Sequence, residues 1–317
     1  NSNYGKAVVA TVSGTSISFG SVVQFEAADS SFINAVYDSN AQKIVLAYTD
    51  GGNSDAVTAI VGTVSGTSIS FGTAVSVGDA GGSVSAVFDS TNNKVVVFFR
   101  STNDSNGGRA RVGTVSGTSI SFGAKASYSS TYTDYPQPAV FDSQANKVIV
   151  FYREQGSNTY YANFAVGTVS GTTISFATST VLVSSNTSSI SASFDNHNNK
   201  SVVSYLASDN TGKVQVIQAG FTTLTAENYI GMSGGGVSAT SFSKGSAAVF
   251  ESAESNFMTA TFDTNSNKVV IAYKDGGNSA YGTAVVGTVS GASISFGTPV
   301  VFESANSQSL GITFDSN

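Results

Sequence analysis

A ten-residue segment, TVSGTSISFG, stands at residues 11–20 and is repeated without change at 63–72 and 114–123. Two variants, TVSGTTISFA at 168–177 and TVSGASISFG at 288–297, complete the series. A second segment, of the form A-V-F-D-S-x-x-N-K-V-V-V-F-Y, follows each copy, and its aspartates are Asp38, Asp89, Asp142, Asp195, Asp263 and, in a partial sixth copy, Asp315. Successive aspartates lie 51, 53, 53, 68 and 52 residues apart. The chain is therefore a series of units of about 52 residues with one insertion of about 16.

Each unit has the pattern of four short strands rich in Val, Ile, Phe, Tyr and Thr. A tight S-G-T turn joins the first strand to the second, and D-S-x-x-N-K joins the third to the fourth. The central strands VVVFF (95–99) and VIVFY (148–152) are apolar without alternation, which predicts burial on both faces. Stacked antiparallel sheets bury a central strand in this way.

The repeat length and the two hairpins per unit predict an all-β fold, a six-bladed β-propeller of four-stranded repeats. A parallel β-solenoid is the alternative, although its coils do not normally contain two hairpins each. We treat residues 1–317 as a single propeller domain with units at about 1–49, 50–100, 101–153, 154–206, 207–274 (with the insertion near 219–245) and 275–317. Because Asn317 aligns with Asn265, the sixth unit lacks its fourth strand. We expect the sequence to be an excerpt of a longer array; the alternative is that another segment completes this blade.

The amino-acid composition excludes several classes of binding partner. Charged residues make up only 11% of the chain, the net charge is −6, and neither cysteine nor a second histidine accompanies His197. An acidic chain poor in lysine argues against nucleic-acid binding, and the lack of cysteine excludes disulfides and thiolate metal sites. No apolar run approaches the roughly 18 residues that span a bilayer. We expect no cofactor, no metal and no membrane insertion.

The wording of the repeats is specific. The segments VGTVSGTSISFG, VVFESANS, TFDSN and NKVVIAYKDGGNS resemble repeats in tail-fibre and other structural proteins of marine bacteriophages, and AGFTTLTAENYIGMSGG (219–235) resembles a segment that accompanies those repeats. The resemblance covers nearly the whole chain, except that residues 219–245 replace the decamer. It implies a virion or extracellular location, an adhesive role and contacts with other virion or fibre subunits, and it supplies no catalytic residues.

Variable loops at one end of the units are the predicted binding face, because loops on a rigid scaffold usually carry binding. All four arginines and six of the thirteen tyrosines fall in or beside these loops between residues 100 and 161. The candidate ligand-binding residues are Arg100, Arg109, Arg111, Tyr132, Asp134, Tyr135, Arg153, Glu154, Tyr160 and Tyr161. Aromatic faces with arginine forks and carboxylates suit sugar rings or acidic saccharides. The simpler interpretation is that the tyrosines fill blade interfaces and the arginines solubilise loops.

Three functions follow from these observations. The first is a non-catalytic propeller that binds a cell-surface glycan or receptor, as part of a phage tail fibre or a secreted adhesin. The second is a passive spacer of an extracellular fibre or virion, favoured by the near-identity of the repeats. The third is a glycoside hydrolase, which would need two carboxyl groups about 5–10 Å apart, with Asp134 and Glu154 as the pair. Uneven loop diversification favours the binding module.

Overall fold

The computed structural model describes residues 3–13, 16–134, 137–156, 159–221, 239–307 and 310–312. Tyr135 and most of the 219–245 insertion lie outside these ranges. Apart from one 3-10 turn at Gly51–Asn53, the regular structure of the described residues is entirely β-strand. No described helix is long and apolar enough to cross a membrane. The all-β prediction is confirmed.

The first twelve strands run as far as residue 127. They are β1 (Tyr4–Ala7), β2 (Ala10–Ser13), β3 (Ser16–Phe19), β4 (Val23–Asp38), β5 (Lys43–Asp50), β6 (Ala56–Ser65), β7 (Ser68–Phe71), β8 (Val75–Asp89), β9 (Lys94–Ser101), β10 (Gly107–Ser116), β11 (Ser119–Phe122) and β12 (Ala126–Ser127).

The strands of the following repeats have the same order. They are β13 (Thr133–Asp134), β14 (Ala139–Asp142), β15 (Lys147–Gln155), β16 (Tyr160–Ser170), β17 (Thr173–Phe176), β18 (Thr180–Val183), β19 (Ser188–Asp195), β20 (Lys200–Leu206), β21 (Gly212–Phe221), β22 (Ala239–Lys244), β23 (Ala248–Glu251), β24 (Ser255–Asp263), β25 (Lys268–Asp275), β26 (Tyr281–Ser290), β27 (Ser293–Phe296) and β28 (Val300–Glu303).

The sheet around β5 and β6 shows how a repeat is built. Strand β5 pairs with the second half of β4 on one side and with β6 on the other, and β6 pairs with both β7 and the start of β8. Strand β8 then leaves this sheet, and its second half pairs with β9 in the next one. Each repeat is thus a four-stranded antiparallel sheet whose outer strand is split in two. The antiparallel pairing differs from that of the parallel solenoid considered above.

The two turns predicted from the sequence are the local determinants of this sheet. In the D-S-x-x-N-K turn, the Asp89 carboxylate accepts hydrogen bonds from the backbone N–H groups of Thr91 and Asn92, at 3.1 and 2.9 Å. Asn93 then adopts a φ of 53°, a left-handed conformation that Asn tolerates well. In the S-G-T turn, Gly66 has a φ of 57° between the paired residues Ser65 and Ser68. A two-residue hairpin with glycine first is the favoured geometry there.

The last glycine of the decamer has a separate role. A Cβ added to Gly72 would lie 1.9 Å from the carbonyl oxygen of Thr118, in the S-G-T turn of the following repeat. Gly20, Gly123 and Gly245 meet the equivalent turns at 1.8–1.9 Å. The decamer therefore has two structural roles. It forms a hairpin, and its last glycine packs against the hairpin turn of the next repeat.

The described residues form two compact units. One comprises Asn1–Ala139 with Ala165–Ser179, and the other comprises Val140–Phe164 with Thr180–Asn317. The core of the first unit includes Val45, Val61, Val77, Val95, Val97, Phe99 and Ile120, and the core of the second includes Val202, Val216, Phe250, Ile271, Tyr273 and Val285. Val95, Val97 and Phe99 come from the apolar run 95–99 that predicts burial on both faces, whereas Val77, Ile120 and Phe250 lie on outer strands.

Candidate functional site

A groove of about 320 Å³ opens in the first unit between two successive repeat sheets. It is lined by Ser31, Phe32, Thr49, Asp55, Ala80, Gly81, Gly82, Arg100 and Thr102. Among the sequence-predicted site residues, Arg100 lies in this lining. The groove therefore combines one aromatic ring, one guanidinium, one carboxylate, several hydroxyls and bare glycine backbone.

Phe32 reaches the groove because strand β4 carries a β-bulge. The pairing of β4 with β5 shifts between Ser31 and Asn34, and Phe32 takes a φ of 50° there. A bulge redirects the side chain of its extra residue. The ring is 41% exposed, and a Cβ on Gly82 would be 3.1 Å from it, so glycine lets the ring lie close to the backbone of the next sheet.

The other walls are fixed by hydrogen bonds that involve the backbone of Ala80 and Gly81 in strand β8. Thr49 Oγ1 donates to the carbonyl of Gly81 at 2.9 Å, and Thr102 Oγ1 donates to that of Ala80 at 2.7 Å. The N–H of Gly81 donates to the carbonyl of Asp55 at 2.9 Å. Asp55 itself is an exposed residue. These bonds preform the groove, so a ligand would not have to order it.

Arg100 is held by an aromatic partner rather than by a carboxylate. Its Nη1 donates to the Tyr132 hydroxyl at 2.9 Å, and its Cζ lies 5.3 Å from the centre of that ring. Its Nε is buried and has no hydrogen-bond partner among the described residues. A Cβ on Gly82 would lie 3.6 Å from Nη2, so that nitrogen is beside the groove. Within the part of the chain that the structure describes, the Tyr132 ring orients the charge of Arg100 and no carboxylate pairs with it.

Arg109, by contrast, is part of an ionic network. Its Nε bonds Asp104 Oδ2 at 3.0 Å, and its Nη1 bonds the carbonyl of Ser129 at 2.7 Å. Lys125 Nζ lies 2.6 Å from both Asp104 and Asp79. The hydrogen bonds from Lys125 and Arg109 lower the pKa of Asp104, and the two carboxylates raise the pKa of Lys125. Only 12% of the Arg109 side chain is exposed, so its donors face the protein.

Arg111 also donates to protein acceptors. Its Nε bonds the carbonyl of Gly123 at 2.8 Å, and its Nη1 bonds the carbonyl of Val77 in the preceding repeat. The side chain therefore ties two successive sheets together. Asp134 is half-buried in the short strand β13.

The remaining candidates belong to the second unit. The Arg153 guanidinium lies 4.7 Å from the centre of the Tyr160 ring, and Asn163 Nδ2 donates to the carboxylate of Glu154. Tyr161 is half-buried beside Gly156, whose added Cβ would be 2.7 Å from the ring. These residues form a group of their own within that unit.

Sequence reasoning missed Phe32, Thr49, Asp55 and Thr102. A signal for Phe32 was present in the comparison of repeats: the bulge position holds Ser83 and Ser189 in two other repeats, both with positive φ, but Phe32 and Phe257 in these two. A large ring at a strained, exposed position is a departure from the scaffold. Thr49, Asp55 and Thr102 carry no such signal, because their importance arises only where the two sheets meet.

A second repeated constellation places a buried tyrosine on a glutamate. Tyr48 Oη donates to Glu26 at 3.1 Å, and Tyr273 Oη donates to Glu251 at 3.2 Å. Burial, followed by the nearby glutamate, raises the pKa of both phenols above their usual value of about 10. Burial also raises the pKa of Tyr205 to about 12.

These phenols predict a loss of stability in alkali. A tyrosine whose pKa is higher in the folded than in the unfolded protein stabilises the folded state fully below the unfolded pKa of about 10. Above that pH the tyrosine ionises only in the unfolded chain, so the contribution to the free energy of unfolding is lost as the pH rises. We expect the free energy of unfolding to fall above about pH 10 and to fall less steeply in a Tyr48→Phe, Tyr273→Phe double variant. Urea unfolding at several pH values measures both slopes. Equal slopes would contradict the prediction.

Comparison with known proteins identifies the fold. No family model and no curated protein matches the chain. Two solved structures of AofleA from Arthrobotrys oligospora, one of them a variant with three arginines changed to alanine, are 11% identical and match 94% of this chain and 89% of theirs, with TM-scores of 0.51 and 0.52. The SapL1 lectin in complex with alpha methyl fucoside is 14% identical over 95% of this chain and 98% of its own, with a TM-score of 0.47. The chain has an all-β, β-propeller fold; the number of six blades stays a prediction.

Proposed function

We propose that this protein is a non-catalytic glycan-binding module and that the groove around Arg100 and Phe32 holds the sugar. The observation that carries the proposal is the pairing, in one preformed groove, of an exposed aromatic ring with a guanidinium that has no carboxylate partner among the described residues. The guanidinium groups of Arg109 and Arg111 donate hydrogen bonds to acceptors within the protein, whereas Nη2 of Arg100 lies beside the groove.

The chemistry of a sugar matches these groups. A pyranose has an apolar C–H face that packs on an aromatic ring and an edge of hydroxyls that need directional partners. Phe32 offers the ring, Asp55 offers an exposed acceptor, and Arg100 donates to hydroxyls or, more strongly, to a carboxylate or sulfate. The nitrogen available for such a bond is Nη2, which lies beside the groove wall at Gly82.

The biological setting that we propose is a virion appendage or a secreted adhesin that binds a cell-surface glycan. The support for this setting is the resemblance of the repeats to phage structural proteins. A glycoside hydrolase with Asp134 and Glu154 as the carboxyl pair stays an alternative that the retention experiment tests.

The test is retention of the purified protein on an array of neutral and acidic bacterial surface polysaccharides, with released oligosaccharide measured in the same samples. We expect Arg100→Gln to weaken the retained interaction about 10- to 100-fold and Phe32→Ala about 10-fold. Lys274→Gln and Phe257→Ala are the matched controls, because they occupy the same repeat positions outside the groove, and both should bind normally.

Each outcome separates the functions. Retention that is unchanged in both groove variants would refute the groove as the site. Lack of retention by every polysaccharide would favour the spacer, and release of sugar would favour the hydrolase.

A further inference from the structure

The groove proposed as the sugar site has an uneven supply of hydrogen-bonding groups. The hydroxyl of Thr49 donates its proton to the carbonyl of Gly81, and the hydroxyl of Thr102 donates its proton to the carbonyl of Ala80. A hydroxyl has one proton and two lone pairs, so a hydroxyl that already donates to the protein can only accept a bond from a ligand. Both threonines of the lining therefore present acceptors to the groove.

Asp55 adds a further acceptor to the same lining. The residue is exposed, and a carboxylate accepts hydrogen bonds without donating any. The backbone N–H of Gly81, which also lines the groove, already donates to the carbonyl of Asp55 at 2.9 Å. The groups on this side of the groove therefore match a ligand that donates protons, as the hydroxyls of a sugar do.

Arg100 supplies the opposite kind of group, a cationic donor. Its Nε is buried, and its Nη1 donates to the Tyr132 hydroxyl at 2.9 Å. Nη2 lies beside the groove, 3.6 Å from the position of a Cβ added to Gly82. No carboxylate of the described ranges pairs with this guanidinium, so its positive charge is left for one anionic group of a ligand.

We propose that the groove binds a saccharide residue that carries one anionic group and keeps its hydroxyls, such as a uronic acid. The inference rests on the proposed glycan-binding function and narrows it to one class of glycan. The anionic group accepts from Nη2 of Arg100, and the apolar face of the sugar ring packs on Phe32. The hydroxyls donate to Thr49, Thr102 and Asp55. A groove of about 320 Å³ is at the small end of the range for ligand sites, about 300–1,000 Å³, which suits one short segment of a glycan.

The same groups discriminate against the two neighbouring classes of glycan. A neutral sugar leaves the Arg100 charge without an anion. A sugar whose hydroxyls are sulfated loses the donors that the threonines require and places further negative charge beside Asp55, which is repulsive. The chain has a net charge of −6, which opposes non-specific attraction of anionic polymers. Retention of an acidic glycan therefore requires a specific contact.

The experiment is biolayer interferometry of the immobilised whole chain with matched forms of three polyuronates, namely polygalacturonate, polyglucuronate and alginate. Each polymer is offered as the free acid, as the methyl ester, which keeps the shape but removes the charge, and with its hydroxyls sulfated. We expect the acid form of at least one polymer to bind about 10-fold more tightly than its ester and more tightly than its sulfated form. A galactan with one sulfate per residue distinguishes the two sources of a single anion, carboxylate and sulfate ester.

Two variants connect the preference with the groove. Arg100→Gln keeps an amide donor but removes the charge, so the preference for acid over ester should fall below about twofold. Asp55→Asn should raise the retention of the sulfated form about 5-fold, because it removes the repelling carboxylate. Asp209→Asn is the matched control, since it removes one exposed carboxylate outside the groove and should leave both ratios unchanged. The comparison of acid with ester uses the parent protein, so it does not depend on the folding of a variant.

The outcomes separate this inference from the function on which it rests. Equal binding of acid and ester forms, binding of neutral polysaccharides alone, or tightest binding of the sulfated forms would overturn the inference and leave a glycan-binding module. A preference for acid that persists in Arg100→Gln would overturn it also. Lack of retention of every neutral and acidic polysaccharide would overturn the glycan-binding function itself.

Discussion

Replacing Gly72 by alanine will destabilise the protein by about 3 kcal/mol, although the change adds a single methyl group. The new Cβ would lie 1.9 Å from the carbonyl oxygen of Thr118, and a backbone atom held in a hairpin turn cannot move aside as a flexible side chain can. Either the two repeat sheets separate slightly or the turn distorts, and both lose contacts on the buried faces. Gly123→Ala, which meets the Thr172 carbonyl at 1.8 Å, should behave alike.

The measurement is the free energy of unfolding from urea titration, made at a concentration where the chain is monomeric. Gly297→Ala is the matched control, because it makes the same change at the same repeat position, where the nearest atom of any described residue is 3.8 Å from the added Cβ. We expect it to cost under about 0.5 kcal/mol. The protein itself has alanine at the equivalent repeat position 177. Equal losses for Gly72→Ala and Gly297→Ala would show that the turn contact is not the cause.

Arg111→Ala will lower the free energy of unfolding by a similar amount, about 3 kcal/mol, and will leave glycan retention unchanged. The guanidinium donates to the carbonyls of Gly123 and Val77, and it thereby bridges two successive sheets. Its removal leaves two carbonyl groups without a charged donor, and hydrogen bonds to charged groups contribute about 1.5–3 kcal/mol each. Arg111→Lys should recover only part of the loss, since an ammonium cannot reproduce the planar fork.

The same urea titrations provide the comparison. Lys268→Ala, which removes an exposed bond from Nζ to Thr288 Oγ1 within one sheet, should cost under about 0.5 kcal/mol. A loss of retention in Arg111→Ala without a loss of stability would instead return Arg111 to the ligand-binding residues.

Much of the fold could be predicted because its determinants are local. Asp89 bonds backbone groups two and three residues further on, and Gly66 closes a hairpin between its immediate neighbours. The repetition of these short segments then indicates that the chain builds several sheets of one kind. The role of Gly72 could not be predicted in this way, because the atom it contacts, the carbonyl oxygen of Thr118, lies in the next repeat.

The candidate site was predictable only in part. The sequence shows three arginines in variable segments and gives no reason to separate them: Arg100, Arg109 and Arg111. They differ only in the hydrogen-bond acceptors that the fold places beside each guanidinium. Asp104 and Ser129 bind Arg109, and Arg111 reaches the backbone of the preceding sheet. Arg100 has a phenol instead, which orients its charge without cancelling it.

The sequence by itself determined the repeat length, the strands, the turns and the all-β class, since these depend on residues a few positions apart and on apolar runs that must be buried. The tertiary structure alone decided which arginine faces a groove, because this depends on where distant strands meet. Val77 and Arg111 are far apart in sequence, yet the carbonyl of Val77 accepts a hydrogen bond from the Arg111 guanidinium. Arg100 meets the Tyr132 hydroxyl instead and lines the groove.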